Sequence, residues 1–360
     1  MKQSIRRNQT QHLLATAKNE LYSNLYINYE NLEEIPREVL EINSIQGLFL
    51  KRNLLKTLPA DLWRLTFLKT LYLPSNKLTS LPDEIGKCEH LENLNVDDNF
   101  LKSLPKTIGE LRKLQKLQAS NNELEVIPPE IGQLKSLEVL ELMKNSIKYL
   151  PNELSGCSRL RSLFVGSNKV EEIPADLLKL SSLEDLSLSK NAISHLPHDL
   201  ERLSQLKSLV MDSNQDLIVF PAAVLQISNL QTLGMQGCGS KHFGKSNQEI
   251  LEHYLKLQGM KNIVGNVLPL LELCLRKAPQ MKHELLPKML QTFLETPKGH
   301  CYFCKQRYYL NAFFQLCNSL ETQLVTLMED KLFCQIDKTN CCFVFCFCSY
   351  NCFESTFYMN

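Results

Sequence analysis

A chain of 360 residues exceeds one typical domain, so two or three units are expected. Apolar residues at 44% and charged residues at 22% are ordinary for a folded chain. Forty basic residues against 39 acidic ones leave a formal charge of +1, which gives no support to a nucleic-acid or anionic-membrane partner, because both require a basic surface.

Residues 1–10 are polar and basic with no apolar core behind them, which argues against a secretory signal. The longest candidate apolar run, residues 341–348, falls well short of the roughly 20 residues needed to cross a bilayer. A cytoplasmic or nuclear chain follows as the expectation. In such a reducing compartment the 13 cysteines favour free thiols or metal ligation over disulfides.

The body of the chain is periodic. The phrase L-x-x-L-x-L-x-x-N starts at Ile45, Leu68, Leu91, Leu114, Leu137, Leu160, Leu183 and Leu206, each 23 residues after the last. One further step, to Leu230, is 24 residues, with the extra residue near Gln215 and Asp216. An asparagine column runs through Asn53, Asn76, Asn99, Asn122, Asn145, Asn168, Asn191 and Asn214, and Cys238 closes it. A proline column runs through Pro59, Pro82, Pro105, Pro128, Pro151, Pro174, Pro197 and Pro221. Leu25, Ile27, Leu32, Ile35 and Pro36 make a degenerate earlier copy in which Glu30 replaces the asparagine.

Each column has a physical task. In Leu71-Tyr72-Leu73 the alternation is that of a short strand, with leucines inward and Tyr72 outward. An asparagine buried at the turn can bond backbone groups that no sheet ladder reaches. The L-P-x-x-I/L segment turns the chain back. No copy buries its leucines alone, so stacking is required, and it yields a curved parallel sheet. These repeats resemble the intracellular 23-residue class of leucine-rich repeats, seen in Ras-pathway scaffolds and bacterial effectors. The resemblance implies an α/β solenoid: a horseshoe with a parallel concave sheet, followed by a helical and Cys-rich extension. Such folds serve many partners.

The outward column of the strands reads Tyr26, Phe49, Tyr72, Asn95, Gln118, Glu141, Phe164, Ser187, Val210 and Gly234. Exposed aromatics beside charges suit interface anchors. The sequence therefore nominates Tyr26, Phe49, Lys51, Arg52, Tyr72, Asn95, Asp97, Asp98 and Phe164 as the surface for a protein target. High strand propensity of aromatics is the plainer account of the same residues.

Beyond Cys238 the leucine register stops. Residues 247–296 read as helices: Ile250, Tyr254 and Leu257 share one face, and Leu271, Cys274 and Leu275 another, with Ser246 and Glu249 spaced as a capping box. Residues 239–246 (GSKHFGKS) match the phosphate-loop pattern literally, although no run of buried parallel strands follows. A Gly-rich exit from the last repeat into a capped helix explains the same letters. Leu270 and Cys274, one turn apart after Pro269, suit a helix that enters a partner's groove. With Ala278 they resemble the elongin-binding (BC) box. Leu286, Pro287 and Leu290 resemble the cullin-facing half of a suppressor-of-cytokine-signalling box, with Phe293 where tyrosine is usual. The resemblance implies a receptor that holds a target while elongin B/C and a cullin–RING ubiquitin ligase are recruited. A helical cap on the last repeat, within a scaffold for small-GTPase or phosphatase signalling, is the alternative.

Nine of the 13 cysteines follow residue 300. Cys301 and Cys304, spaced as a half-site, can pair with Cys348 and Cys352 as ligands of a structural zinc. His300, Cys341, Cys342 and Cys346 compete for the role, and free thiols or palmitoylation of Cys341 and Cys342 are alternatives. The whole arrangement, including residues 299–304 (GHCYFC) and 348–352 (CSYNC), resembles the 28/58-like group of leucine-rich repeat-containing proteins. Four segments are thus expected: a cap with the degenerate copy at 1–44, repeats at 45–238, a helical segment at 239–298, and a Cys-rich tail at 299–360. The eight histidines are scattered and no nucleophile–base arrangement is evident, so a non-catalytic protein is expected.

Overall fold

The computed structural model describes residues 2–240 except 198, 222–223 and 225–226, with side chains from residue 11 onward, and beyond them only the backbones of 261–262, 299–300, 307–308, 311–318 and 342–347. Contacts divide the chain into two compact units, residues 1–191 and 192–360.

The first unit opens with helix α1 (Lys2–Asn19), which begins within the polar, basic residues 1–10. Leu14 and Ala17 of α1 are buried, and Lys18 pairs with Glu41 at 2.7 Å. That pair is solvent-exposed, so it adds little stability; the buried leucine and alanine hold the helix in place.

Strands β1 (Asn24–Tyr26), β2 (Gly47–Phe49), β3 (Thr70–Tyr72), β4 (Asn93–Asn95), β5 (Lys116–Gln118), β6 (Val139–Glu141), β7 (Ser162–Phe164) and β8 (Asp185–Ser187) follow at the repeat interval. They pair in chain order, all parallel, with no slip: Leu48 lies beside Leu71, Leu71 beside Leu94 and Leu94 beside Leu117. Strands of three residues suffice because one inward leucine per strand meets its neighbours in the stack. Leu48, Leu71, Leu117, Leu140 and Leu163 are wholly inaccessible. Burying each such side chain is worth about 1.5–3 kcal/mol. The degenerate first copy takes part, since β1 pairs with β2 and Leu25 and Ile27 are buried.

Opposite the strands the chain returns through short 3-10 turns, among them Asp83–Lys87, Lys106–Glu110, Pro129–Gln133, Asn152–Gly156 and Ala175–Lys179. Each is entered from a proline of the column; Pro82 has φ −68° and Pro105 φ −67°. Proline's fixed φ suits that entry, and its missing N–H is not needed there. At Leu62–Arg64 the 3-10 turn is shorter and starts after Asp61.

The asparagines connect the strands to the returning chain. Asn99 Nδ2 donates to the carbonyls of Leu73 (3.1 Å), Val96 (3.0 Å) and Asp97 (3.0 Å). Its Oδ1 accepts the Leu78 N–H at 3.0 Å, so one amide serves two successive repeats. Asn53 repeats the arrangement toward the degenerate copy, accepting from Glu30 and Leu32 and donating to Ile27 and Leu50. A backbone device accompanies it. The residue before each asparagine is left-handed: Arg52, Ser75, Asp98, Asn121, Lys144, Ser167, Lys190 and Ser213 all have φ between 52° and 62°. A non-glycine residue there costs about 1–2 kcal/mol, and the buried amide offsets it.

The second unit contains β9 (Ser208–Val210), β10 (Val219–Pro221), β11 (Thr232–Gly234), β12 (Lys261–Asn262), β13 (Gly299–His300), β14 (Arg307–Tyr308), β15 (Asn311–Asn318) and β16 (Cys342–Phe347). β9 and β11 continue the repeat as a parallel pair. Cys238 fills the asparagine position as the column predicts, donating its Sγ–H to the Met211 carbonyl at 3.1 Å. Pro221 ends β10, which pairs in parallel with β16, and Val224 just after it has 3-10 conformation. β15 runs antiparallel to β16 and parallel to β12, giving the order β10-β16-β15-β12, while β13 and β14 form a separate antiparallel pair. Of the stretch read as helices, residues 261–262 form β12; Ile250, Tyr254, Leu257 and Leu271 lie outside the described residues, as do Ser246 and Glu249.

Replacing Asn99 by alanine leaves the Leu78 N–H and the Leu73 and Val96 carbonyls without this partner, at about 1–3 kcal/mol. We expect Asn99→Ala to lower the denaturation midpoint accordingly, whereas Asn121→Ala, at an exposed position beside the half-buried Asn122, costs less. Equal midpoints for Asn99→Ala and the parent would contradict the load assigned to this amide.

Candidate binding face

On each strand of the first unit the residues flanking the inward leucine share the open face, so the repeat fixes which side chains become neighbours. Tyr26, Phe49 and Tyr72 stand side by side in register on β1, β2 and β3. The Tyr26 and Phe49 rings stack with centroids 4.5 Å apart and planes 14° from parallel. Phe49 and Tyr72 are tilted by 47° at 5.9 Å. Each such pair contributes about 0.5–1.5 kcal/mol beyond burial. Tyr26 is nonetheless 59% exposed.

Gly47 makes this stack possible. A Cβ at Gly47 would stand 2.7 Å from Phe49 Cε2 and closer still to Asn24 Oδ1, so only a residue without a side chain lets Phe49 and Asn24 lie over β2.

The cations beside the stack have separate environments. Arg52 lies over the Tyr29 ring, with its Cζ 5.7 Å from the centroid. The Lys51 N–H is held by Asn28 Oδ1 at 2.7 Å, which fixes the backbone from which its ammonium projects. Neither side chain has a carboxylate within ion-pair reach among the described residues.

Beyond Tyr72 the face changes character. Asn95, nominated as an open contact, is only 7% exposed. Its amide donates to Asp97 Oδ2 and Gln118 Oε1, each at 3.0 Å, and its Oδ1 accepts the Asp97 N–H. Gln118 passes the chain on to Glu141 at 3.0 Å, and Glu141 pairs with Lys116 at 3.1 Å. This row satisfies its own polar groups, so Asn95 is a link in a ladder rather than a free recognition group. The reason is spacing: parallel neighbours bring each amide within reach of the next.

Asp97 accepts the Ser120 N–H at 2.6 Å. Burial pushes its carboxyl upward, the Ser120 and Asn95 hydrogen bonds oppose that shift, and the negative charges of Glu141 and Asp98 add to it. Asp98 is exposed and accepts from Ser75 Oγ and Asn121 Nδ2. No basic side chain forms an ion pair with Asp97 or Asp98 among the described residues.

The nominated residues therefore divide. Tyr26, Phe49, Tyr72, Lys51 and Arg52 gather at β1–β3, and Asp97 and Asp98 border them at β4. Phe164, half-buried on β7, stands four strands from Tyr72, about 19 Å at ordinary strand spacing, and takes no part in the stack. Sequence reasoning missed Tyr29 and Gly47. Tyr29 was detectable, because it precedes Arg52 by one repeat. Gly47 carried no local signal.

Other nominated groups fall elsewhere. Leu270, Cys274, Ala278, Leu286, Pro287, Leu290 and Phe293 lie outside the described residues, as do Cys301, Cys304, Cys348 and Cys352. Of the phosphate-loop match only Gly239 and Ser240 are described. Gly239 is buried, with φ 66°, and its N–H goes to the Asn214 carbonyl at 3.3 Å, so it serves the exit from the last repeat. The buried thiols offer no nucleophile: burial pushes Cys88 up to about 11 and Cys157 up to about 12. No group of three or more metal-ligating side chains occurs among the described residues, and no described helix is long and apolar enough to cross a membrane.

Residues 60–169 and 118–216 match the family model for a leucine-rich repeat region. A leucine-rich-repeat protein of Leptospira interrogans is similar at 33% identity and a TM-score of 0.50, over 59% of this chain and 60% of that one. The PEPR1–AtPEP1 structure is similar at 28% identity and a TM-score of 0.50, over 60% of this chain and 35% of that one. The TLR13–ssRNA13 complex shares the fold at 22% identity and a TM-score of 0.53, over 62% and 34% of the two chains. This chain thus spans less than two thirds of each of these structures. None of the curated proteins compared with the chain matches it.

Adding a methyl group at position 47 tests the geometry directly. We expect Gly47→Ala to displace the Phe49 ring, to cost about 1–3 kcal/mol through overpacking, and to change the near-ultraviolet circular dichroism of the aromatic stack. An unchanged spectrum would show that Phe49 does not depend on the bare backbone beneath it. Strands, turn asparagines and the family match thus agree over residues 60–216, which fold as a leucine-rich repeat region.

Proposed function

We propose that this chain is a non-catalytic adaptor that captures a protein target on the open strand face, with the aromatic group on β1–β3 as the anchor. The observation that carries the reading is the stack of exposed Tyr26 with half-buried Phe49 and Tyr72, beside cations that have no ionic partner among the described residues. Partly exposed aromatics held rigid by their neighbours lose little entropy when a partner covers them, the usual setting of an interface hot spot. The further row from Asn95 to Glu141 has already satisfied its hydrogen bonds, so a partner gains less there. Similar folds in the PEPR1–AtPEP1 and TLR13–ssRNA13 structures are paired with unlike ligands, so fold alone does not choose the target.

The second part of the reading concerns what capture accomplishes. Leu270, Cys274 and Ala278, followed by Leu286, Pro287 and Leu290, have the order of an elongin-binding box and its cullin-facing partner. A receptor of that kind performs no chemistry; it raises the target's effective concentration near a ubiquitin-charged enzyme. If the box is absent in function, the chain is a scaffold of the small-GTPase or phosphatase type. The cysteines Cys301, Cys304, Cys348 and Cys352 would then, as in the first case, serve the tail by holding a structural zinc.

Phe49→Ala with Tyr72→Ala should weaken target capture by more than about thirtyfold, while moving the melting temperature by only about 2–4 °C. Parallel collapse of stability and binding would make the aromatics structural. Separately, purified elongin B/C should co-elute with the full chain and not with Leu270→Ala, Cys274→Ala. Failure of the parent chain to retain elongin B/C would leave the scaffold reading in place and remove the ligase.

A further inference from the structure

The charges along the anchor face are ordered. Lys51, Pro74 and Asp97 occupy the same position in three successive repeats, as do Arg52, Ser75 and Asp98. Lys51 and Arg52 have no carboxylate partner, and Asp97 and Asp98 have no basic one, among the described residues. The two ends of a short track thus carry opposite uncompensated charge. Between them the buried Pro74 leaves no charge on the track, and the half-buried rings of Phe49 and Tyr72 beside it form an apolar floor. Neighbouring strands are about 4.8 Å apart, so two steps span about 10 Å, the length of about three residues of extended chain. The saturated row beginning at Asn95 limits the track on its far side.

From this juxtaposition we infer that the anchor face takes an extended peptide segment crossing the strands, with an acidic residue over Lys51 and Arg52, an apolar side chain on the Phe49–Tyr72 floor, and a basic residue three positions from the acidic one over Asp97 and Asp98. The inference rests on the reading of this face as the capture surface and adds the polarity and spacing of what it captures. Complementary charges fix orientation and discriminate against the reversed segment, because reversal puts like charges together at both ends. Asp97 gains a countercharge that none of the described residues provides.

The test uses the full chain and two fluorescein-labelled peptides of identical composition, one ordered acidic–leucine–serine–basic and the other with the two charges exchanged. Fluorescence anisotropy at physiological salt should show at least a tenfold preference of the parent chain for the first. The paired substitution Arg52→Glu, Asp98→Lys makes each end neutral beside the retained Lys51 and Asp97, and should abolish that preference. Both positions are exposed, and lysine is already accepted in that left-handed column at Lys144 and Lys190. Equal binding of the two peptides, binding of neither below about 1 mM, or an unaltered preference in the charge-exchanged chain overturns the inference. If that variant fails to fold, the comparison of the two peptides on the parent chain decides alone. Loss of natural-target capture in Phe49→Ala, Tyr72→Ala, together with indifference to peptide polarity, would retain the capture surface and discard the ordered track.

Discussion

A parallel stack of three-residue strands leaves a backbone problem at the end of every strand, and the buried asparagine amide solves it. Once the chain turns away from the sheet, its N–H and C=O groups have no ladder to join and no water to bond. Asparagine carries both an acceptor and two donors on a short, planar group, so one side chain can serve the turn of its own repeat and that of the previous one. Asn99 does this at four contacts of 3.0–3.1 Å. Aspartate lacks the donors and leucine lacks both. The left-handed residue before each asparagine aims the amide inward, and the cost of that conformation recurs through the whole stack.

Because that turn is the same in every copy, the register cannot drift, and the chemistry of the open face is written as columns. Neighbouring copies then either close on one another or stay available. From Asn95 to Glu141 they close, since each side chain is long enough and polar enough to bond the next. At β1–β3 they stack as rings that leave their outer surface uncovered. Two adjacent stretches built from one repeat thus differ in what they can offer a partner, and the difference lies in the outward residues alone.

The ends of the repeat show what happens when the pattern is relaxed. At the start, Glu30 replaces the asparagine, yet its N–H is taken by Asn53 of the following copy, so the strand is kept. Helix α1 adds Leu14 and Ala17 to the buried side chains of that end. Later, Cys238 keeps one of the amide's bonds through its thiol. After one additional residue before Ile218, the copy gains strand β10, which ends at Pro221.

By itself the sequence determined the repeat length, the inward leucines, the turn asparagines and the outward column, because each is a periodic local choice that packing reads identically in every copy. It also named the aromatics and the charges of the anchor face. Only the tertiary structure decided that Asn95 is enclosed, that Phe164 stands apart from Tyr72, that Arg52 lies over Tyr29 and that Gly47 underlies Phe49. Apart from the contact of Gly47 with Phe49, those outcomes depend on distances between groups more than twenty residues apart in sequence. Periodicity fixes which residues are neighbours, but whether neighbours bond, stack or remain open depends on the reach and rotamer of each side chain in place. Helix α1 belongs with these outcomes: its hydrophobic signal is weak, and the burial of Leu14 and Ala17 supplies what the local pattern lacks.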